Sequence, residues 1–102
     1  MEVRQVRWTE PARDDLGQIY DYIAKQSPIT ADRVITQIVV KTDLLVTHPF
    51  IGNNFIYKGV KLRQLTVKNY RVIYFLTADI AFVIAVVHGA RDLRNLLKRR
   101  LP

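Results

Sequence analysis

Two imidazole side chains occur in this sequence, His48 and His88, and imidazole is the side-chain type most often used to move protons at physiological pH. His88 closes a run rich in β-branched residues, Arg91 follows shortly after it, and Lys61 and Arg63 stand at the start of a neighbouring strand-like run. An imidazole beside guanidinium and ammonium groups can move a proton and hold an anion. One reading therefore makes His88 a general acid or base served by Arg91, Lys61 and Arg63. The plainer reading is that His88 and Gly89 turn the chain out of a strand, with the imidazole hydrogen-bonded locally. Arg91 has Asp92 and Asp14 as potential partners, which would make it structural. The sequence has no cysteine, so disulfide and thiolate chemistry are excluded. Neither histidine sits in a cluster with metal-ligand spacing. No metal, cofactor or small-molecule ligand is expected.

The charge balance points to a partner. Sixteen Lys and Arg face nine Asp and Glu, a net charge of +7. Such an excess favours nucleic acid, an anionic protein surface or an acidic antagonist. Much of it lies in the last residues, where Arg94, Lys98, Arg99 and Arg100 alternate with Leu93, Leu96, Leu97 and Leu101. These cations can contact DNA or an acidic surface. The alternative is a solvated helix face whose leucines dock on the domain. No aromatic residue interleaves this tail, so base stacking is not indicated there.

The 102 residues fit one domain, 1–102, with 91–102 as a basic C-terminal helix. An apolar fraction of 49% with 25% charged residues suits a folded chain. No apolar run approaches the ~20 residues of a membrane span, and the N-terminus lacks a signal-peptide core. A cytoplasmic protein without a membrane role is expected.

The elements that position these side chains follow from periodicity. Residues 2–8, with Val3, Val6 and Trp8, read as a short strand. Thr9 or Glu10 can cap a helix with Pro11 in its first turn, and Ala12, Leu16, Ile19, Tyr20 and Ile23 recur at helical spacing until about Gln26. Ser27 or Thr30 can cap a second helix, whose stripe is Ala31, Val34, Ile35, Ile38 and Leu45. Its β-branched stretch from Val34 to Val40 is locally ambiguous, but length and period predict helix. Val40 and Leu44 lie off that stripe, either as isolated exposed residues or as a covered patch. His48-Pro49 ends the helix, and Gly52, Asn53 and Asn54 read as a loop. Strands follow over 60–67, 70–76 and 80–87. Lys68-Asn69 suits a two-residue hairpin with Asn at positive φ, and residues 77–79 suit a three-residue turn. The order β-α-α-β-β-β plus a C-terminal helix predicts an α+β fold, a helical hairpin packed on an antiparallel sheet.

Those turns set a register. Val67, Leu65 and Arg63 face Tyr70, Val72 and Tyr74, and Leu76, Tyr74 and Val72 face Ile80, Phe82 and Ile84. One sheet face then carries Leu65, Val67, Tyr70, Val72, Tyr74, Leu76, Ile80, Phe82, Ile84 and Val86, for the helical hairpin. The other carries Leu62, Gln64, Thr66, Arg71, Ile73, Phe75, Ala81, Val83, Ala85 and Val87. It is also largely apolar, which is unusual for a face left in water. A second layer is implied: the C-terminal helix, a partner chain, or both. Arg71, in its middle, is either a paired structural residue or a contact for an acidic group.

Several segments resemble the ParE branch of the RelE/ParE toxin superfamily. They are the run from Val6 to Leu16 (VRWTEPARDDL) with Ile19 to Ile23 (IYDYI), His48 to Gly52 (HPFIG), Tyr70 to Tyr74 (YRVIY), and Val86 to Leu93 (VVHGARDL). The resemblance runs from residue 6 to 93. It implies the same fold, and a toxin held inactive by a cognate acidic antitoxin in a hetero-oligomer. ParE-type toxins are known as DNA gyrase inhibitors, whereas RelE-type relatives cleave mRNA in the ribosome. RelE-like ribonucleases carry lysines and arginines on the open sheet face, and a further arginine and a tyrosine near the C-terminus. Matched strand by strand, Arg71 fits one arginine. The lysine positions fall on Leu62 and Gln64, the late arginine falls near Gly89, and no tyrosine follows Tyr74. The resemblance thus implies a gyrase-binding toxin without a catalytic site. Arg63, Arg71, His88, Arg91, Arg94, Lys98, Arg99 and Arg100 are its candidate target contacts. Val40, Leu44, Leu62, Ile73, Phe75 and Val83 are candidate antitoxin contacts. The alternative is a ribonuclease using Arg71, His88 and Arg91.

Overall fold

The computed structural model describes residues 2–89 and 91–101; Met1, Ala90 and Pro102 lie outside the described residues. Strand β1 (Gln5–Trp8) leads into helix α1 (Glu10–Ala24) and helix α2 (Pro28–Asp43). Thr9 caps α1 by accepting the Ala12 N–H at 3.3 Å. Ser27 rather than Thr30 caps α2, accepting the Thr30 N–H at 3.2 Å. The β-branched stretch is helical throughout, because tertiary burial outweighs its weak local preference: Ala31 and Ile38 are fully buried. A 3₁₀ turn (Leu44–Val46) buries Leu45 before His48-Pro49.

Four strands then form a meander: β2 (Asn53–Tyr57), β3 (Val60–Val67), β4 (Tyr70–Leu76) and β5 (Ile80–His88), followed by helix α3 (Leu93–Arg100). The sheet order is β1-β5-β4-β3-β2, antiparallel except that β1 runs parallel to β5 at one edge. The expected fold stands, with one strand added. Asn53 and Asn54 are not loop but pair with Gln64 and Arg63. Lys58 and Gly59, at φ 49° and 79°, close β2 onto β3 in a tight two-residue turn. In the next hairpin the positive φ falls on Lys68 (55°) and not on Asn69.

The β3–β4 register is as expected, but the β4–β5 register is not. Leu76 pairs with Ala81 and Tyr74 with Val83, and a bulge between Ile73 and Tyr74 leaves Ile84 as the extra residue. The cause is the turn. Thr77 N–H donates to the Ile80 carbonyl at 2.9 Å, while the Thr77 hydroxyl accepts the Ile80 N–H at 3.0 Å. The hairpin thus closes on Thr77 and Ile80 around a two-residue turn, one residue shorter than expected, and a one-residue slip moves side chains to the other face. Ala81 and Val83 therefore join the helical-hairpin core, while Phe82 stacks on Phe75 with ring centroids 5.1 Å apart. After the bulge, Val86 again faces the hairpin core, whereas Ile84 and Val87 belong to the other.

Both sheet faces are covered. On one, Ala12, Leu16, Ile19, Val34 and Ile38 pack on Leu65, Val67, Val72 and Tyr74. On the other, Leu96 and Leu97 of α3 bury Leu62, Ile73, Ile84 and Val87. No helix is long and apolar enough to cross a membrane among the described residues.

Candidate partner-binding surfaces

The apolar second face is roofed by α3, and α3 is fastened at its far end. Asp92 caps its start by accepting the Arg94 N–H at 3.0 Å. Arg100 reaches across to Asp15 of α1 in a two-pronged ion pair, Nη2 to Oδ1 at 2.8 Å and Nη1 to Oδ2 at 2.9 Å. Nη1 also donates to the Ile84 carbonyl at 2.7 Å, and Asp15 Oδ2 accepts the Val86 N–H at 2.9 Å. These backbone groups lie just past the end of β1, where Thr9 N–H donates to the Val83 carbonyl at 3.0 Å. The Asp15–Arg100 pair thus takes the place of a missing strand along β5. Arg100, expected as a free target contact, is instead a structural clamp.

Of the other expected basic contacts, all but Arg63 and Arg99 divide between two clefts. Lys58, Arg71, Arg91, Arg94 and Lys98 line a cleft of about 910 Å³ between β2, β4 and α3. Its one lining carboxylate, Asp92, is engaged in capping α3. Arg71 donates to Gln64 Oε1 at 3.4 Å and to the Arg91 carbonyl at 3.2 Å, and its Nε is buried without a partner. Arg99 is exposed elsewhere on α3. His88 lines the second cleft with Gln18, Ile19, Tyr22, Tyr70 and Arg91. Tyr70 meets His88 edge-on, with centroids 5.5 Å apart. Burial first, and the neighbouring Tyr22 second, push the Tyr70 phenol above its ordinary value. Because Tyr70 pairs with His88 and Arg71 with Val87, the His88 and Arg71 side chains leave opposite faces of the sheet. Among the described residues no ion pair joins Arg91 to Asp14 or Asp92.

Arg63 is neither free nor near His88. Its Nη1 donates to the carbonyls of Gly52 at 2.6 Å and Phe50 at 3.3 Å, and its guanidinium lies over the Phe50 ring at 4.8 Å. The fully buried Tyr74 completes this staple, donating to the Pro49 carbonyl at 2.8 Å and accepting the Gly52 N–H at 3.0 Å. Burial holds the Tyr74 phenol above its usual range, while the Gly52 hydrogen bond and Arg63 pull it down less strongly. An unfolded phenol ionises at about 10, so this contribution is complete below that pH and fades as pH rises through the higher folded value. Urea midpoints should fall above about pH 10, and fall less in Tyr74→Phe.

The apolar candidates also separate. Val40 and Leu44 are exposed, at 61% and 43%. They flank Lys41, whose Nζ ties α2 to the Thr66 carbonyl at 2.8 Å. Phe75 is half-buried. Leu62 and Ile73 are fully buried beneath α3. Val83, expected on that same face, lies in the helical-hairpin core because of the register slip. Sequence reasoning missed Asp15 and Tyr74. Asp15 was detectable, since it shares the buried helical phase of Ala12 and Ile19, where a carboxylate needs a partner.

Residues 6–93 match the model of a family described as the ParE toxin of type II toxin-antitoxin system, parDE. The chain is 34% identical over 88 residues to Toxin RelE2 of Caulobacter vibrioides, covering 85% of this chain and 97% of that one. Its fold is similar to a structure described as the chromosomal ParDE TA system from P. aeruginosa, with a TM-score of 0.71 and 22% identity over 84% of this chain and 96% of that one. It is also similar to a structure described as a double arginine-to-alanine mutant of E. coli toxin RelE in the free state, with a TM-score of 0.67 and 19% identity over 99% and 100% of the two chains.

Proposed function

We propose, from the premise that this chain belongs to the ParE toxin family and is the toxin of a type II toxin–antitoxin pair, that it inhibits DNA gyrase by binding rather than catalysis. The observation that carries this reading is the separation of Arg71 from His88 on opposite sheet faces. A ribonuclease site must bring an acid, a base and phosphate-holding cations to one phosphate. Here Leu62 and Gln64 occupy the positions where RelE-like ribonucleases carry lysines. Leu62 is fully buried, and Gln64 is bonded to Arg71. What faces solvent nearby is a cleft of cations beside apolar side chains, which suits an acidic macromolecular surface.

The proposed target contacts are Arg71, Arg91, Arg94 and Lys98 in that cleft, with Arg99 elsewhere on α3 and His88 on the opposite sheet face, in the second cleft that Arg91 also lines. A supercoiling assay with purified gyrase tests the reading. Inhibition by the wild-type chain is expected, and Arg91→Glu with Arg94→Glu should weaken it at least about tenfold, more at low salt. Unchanged gyrase activity at high toxin excess would reject it. The relative named RelE2 keeps a ribosome-dependent endoribonuclease as a second reading. That reading requires A-site cleavage in translation extracts, lost in Arg71→Ala or His88→Ala.

The partner proposed for neutralisation is a cognate acidic antitoxin forming a hetero-oligomer with this chain. Val40, Leu44 and Phe75 are available to it as the chain stands. Contact with Leu62 or Ile73 requires α3 to give way, and Val83 is withdrawn into the other core.

A further inference from the structure

We infer that the outer edge of β2 is a docking rail for an extended segment of the antitoxin, one in which apolar and acidic residues alternate. The inference rests on the antitoxin reading above and adds the site and the mode of binding.

A sheet edge presents unpaired N–H and C=O groups, and folded proteins usually blunt it with charge, proline, a bulge or a cover. This molecule does so elsewhere. β1 is four residues long with Arg7 inside it, and the exposed stretch of β5 is filled by Asp15 and Arg100. β2 has no such protection. Asn53–Tyr57 (NNFIY) contains no charge and no proline, its pairing with β3 is regular, and Ile56 is 69% exposed. The two-residue turn after Tyr57 makes Tyr57 and Val60 the closing hydrogen-bonded pair. Asn53, Phe55 and Tyr57 therefore turn their backbone groups toward β3, and Asn54 and Ile56 turn theirs outward.

From this edge an apolar groove of about 380 Å³ runs inward across β3 to β4, lined by Phe50, Ile56 and Leu76 among others, with Lys61 and Arg63 as its charged residues and no carboxylate. An added strand would lay alternate side chains into the outer end of this groove, beside Phe50 and Ile56. Apolar ones match the floor and acidic ones match the two cations. Charge also decides against a second copy of this chain as the occupant. Two molecules of +7 each would meet with Lys58 and Lys61 of both along one edge.

A capped synthetic peptide, Asp-Ile-Glu-Phe-Asp-Val-Glu, serves as probe, with amide hydrogen exchange of the labelled chain as readout. Slowed exchange at Asn54 and Ile56 is expected, with no effect from a peptide carrying Lys in place of each acid. Ile56→Pro removes an outward N–H at a position where an edge strand tolerates proline. It should bind about tenfold more weakly with its melting curve kept, and Ile56→Lys should do the same should the proline variant melt early. Protection confined to other residues, equal binding of the lysine peptide, or slowed exchange from self-association without peptide would each overturn the inference. Coexpression with the protein encoded beside this chain separates the two levels. Equal neutralisation of wild type and Ile56→Pro rejects the rail and leaves the antitoxin reading intact. Failure to neutralise even the wild type rejects both.

Discussion

Asp15→Ala should destabilise the chain by about 3–5 kcal/mol, the cost of leaving a buried charge without its partner. For a domain of this size that corresponds to a melting temperature lower by on the order of 15–30 °C. Burial decides the magnitude. An exposed ion pair contributes about 0–1 kcal/mol, but here the Arg100 and Asp15 side chains are only 13% and 7% exposed. The truncation strands the Arg100 guanidinium and also leaves the Val86 N–H without its acceptor. Arg100→Ala should cost less than Asp15→Ala, because Asp15 keeps the Val86 N–H. The double variant should fall short of the sum of the two by about 1–3 kcal/mol, as expected for groups in direct contact. Thermal melts of the three variants measure this, and an Asp15→Ala curve within about 1 kcal/mol of wild type would return the pair to the status of a surface contact.

The clamp also marks where the sequence stopped being legible. The elements were readable because each carries its own period, its cap or its proline: Thr9 and Ser27 begin the helices, and Pro49 follows the end of the second. An apolar second face needing a roof was readable too, and Leu96 and Leu97 provide it. What the roof is fastened to was not, because Arg100 and Asp15 are far apart in the chain and a basic tail looks alike whether it is solvated or folded back. The error at Val83 has a different origin. A strand rich in Val, Ile and Ala reads equally well in either phase, so only the turn decides which residues face which layer. A turn one residue shorter than expected and one bulge, at Ile84, were enough to exchange them. β2 escaped notice because two asparagines and a nearby glycine resemble a loop, and its strand character comes from pairing with β3 rather than from its own pattern.

Gly52→Ala is the second substitution expected to have a large effect, and it tests the staple around Tyr74. An added Cβ would lie 2.7 Å from the Gln64 carbonyl oxygen, 2.8 Å from Tyr74 Oη and 2.9 Å from Tyr74 Cε1. None of these can withdraw cheaply. The carbonyl is backbone of β3, and the phenol is fully buried while bonded to both Pro49 and Gly52. Relief therefore requires the loop to lift, which breaks those hydrogen bonds and the Arg63 contacts to Gly52 and Phe50. Overpacking and lost buried hydrogen bonds together put the cost at about 3 kcal/mol or more. Tyr74→Phe, which removes only the hydroxyl, should cost about 1–3 kcal/mol. The combination should be less damaging than the two added together, since the hydroxyl that blocks the methyl is gone. Denaturant midpoints of the three variants give the ordering. The same loop carries Phe50, which walls the groove beside β2, so Gly52→Ala should also weaken binding of the acidic peptide even below its melting temperature. A Gly52→Ala chain as stable as wild type would mean that the loop is held loosely and that Phe50 is not a fixed wall.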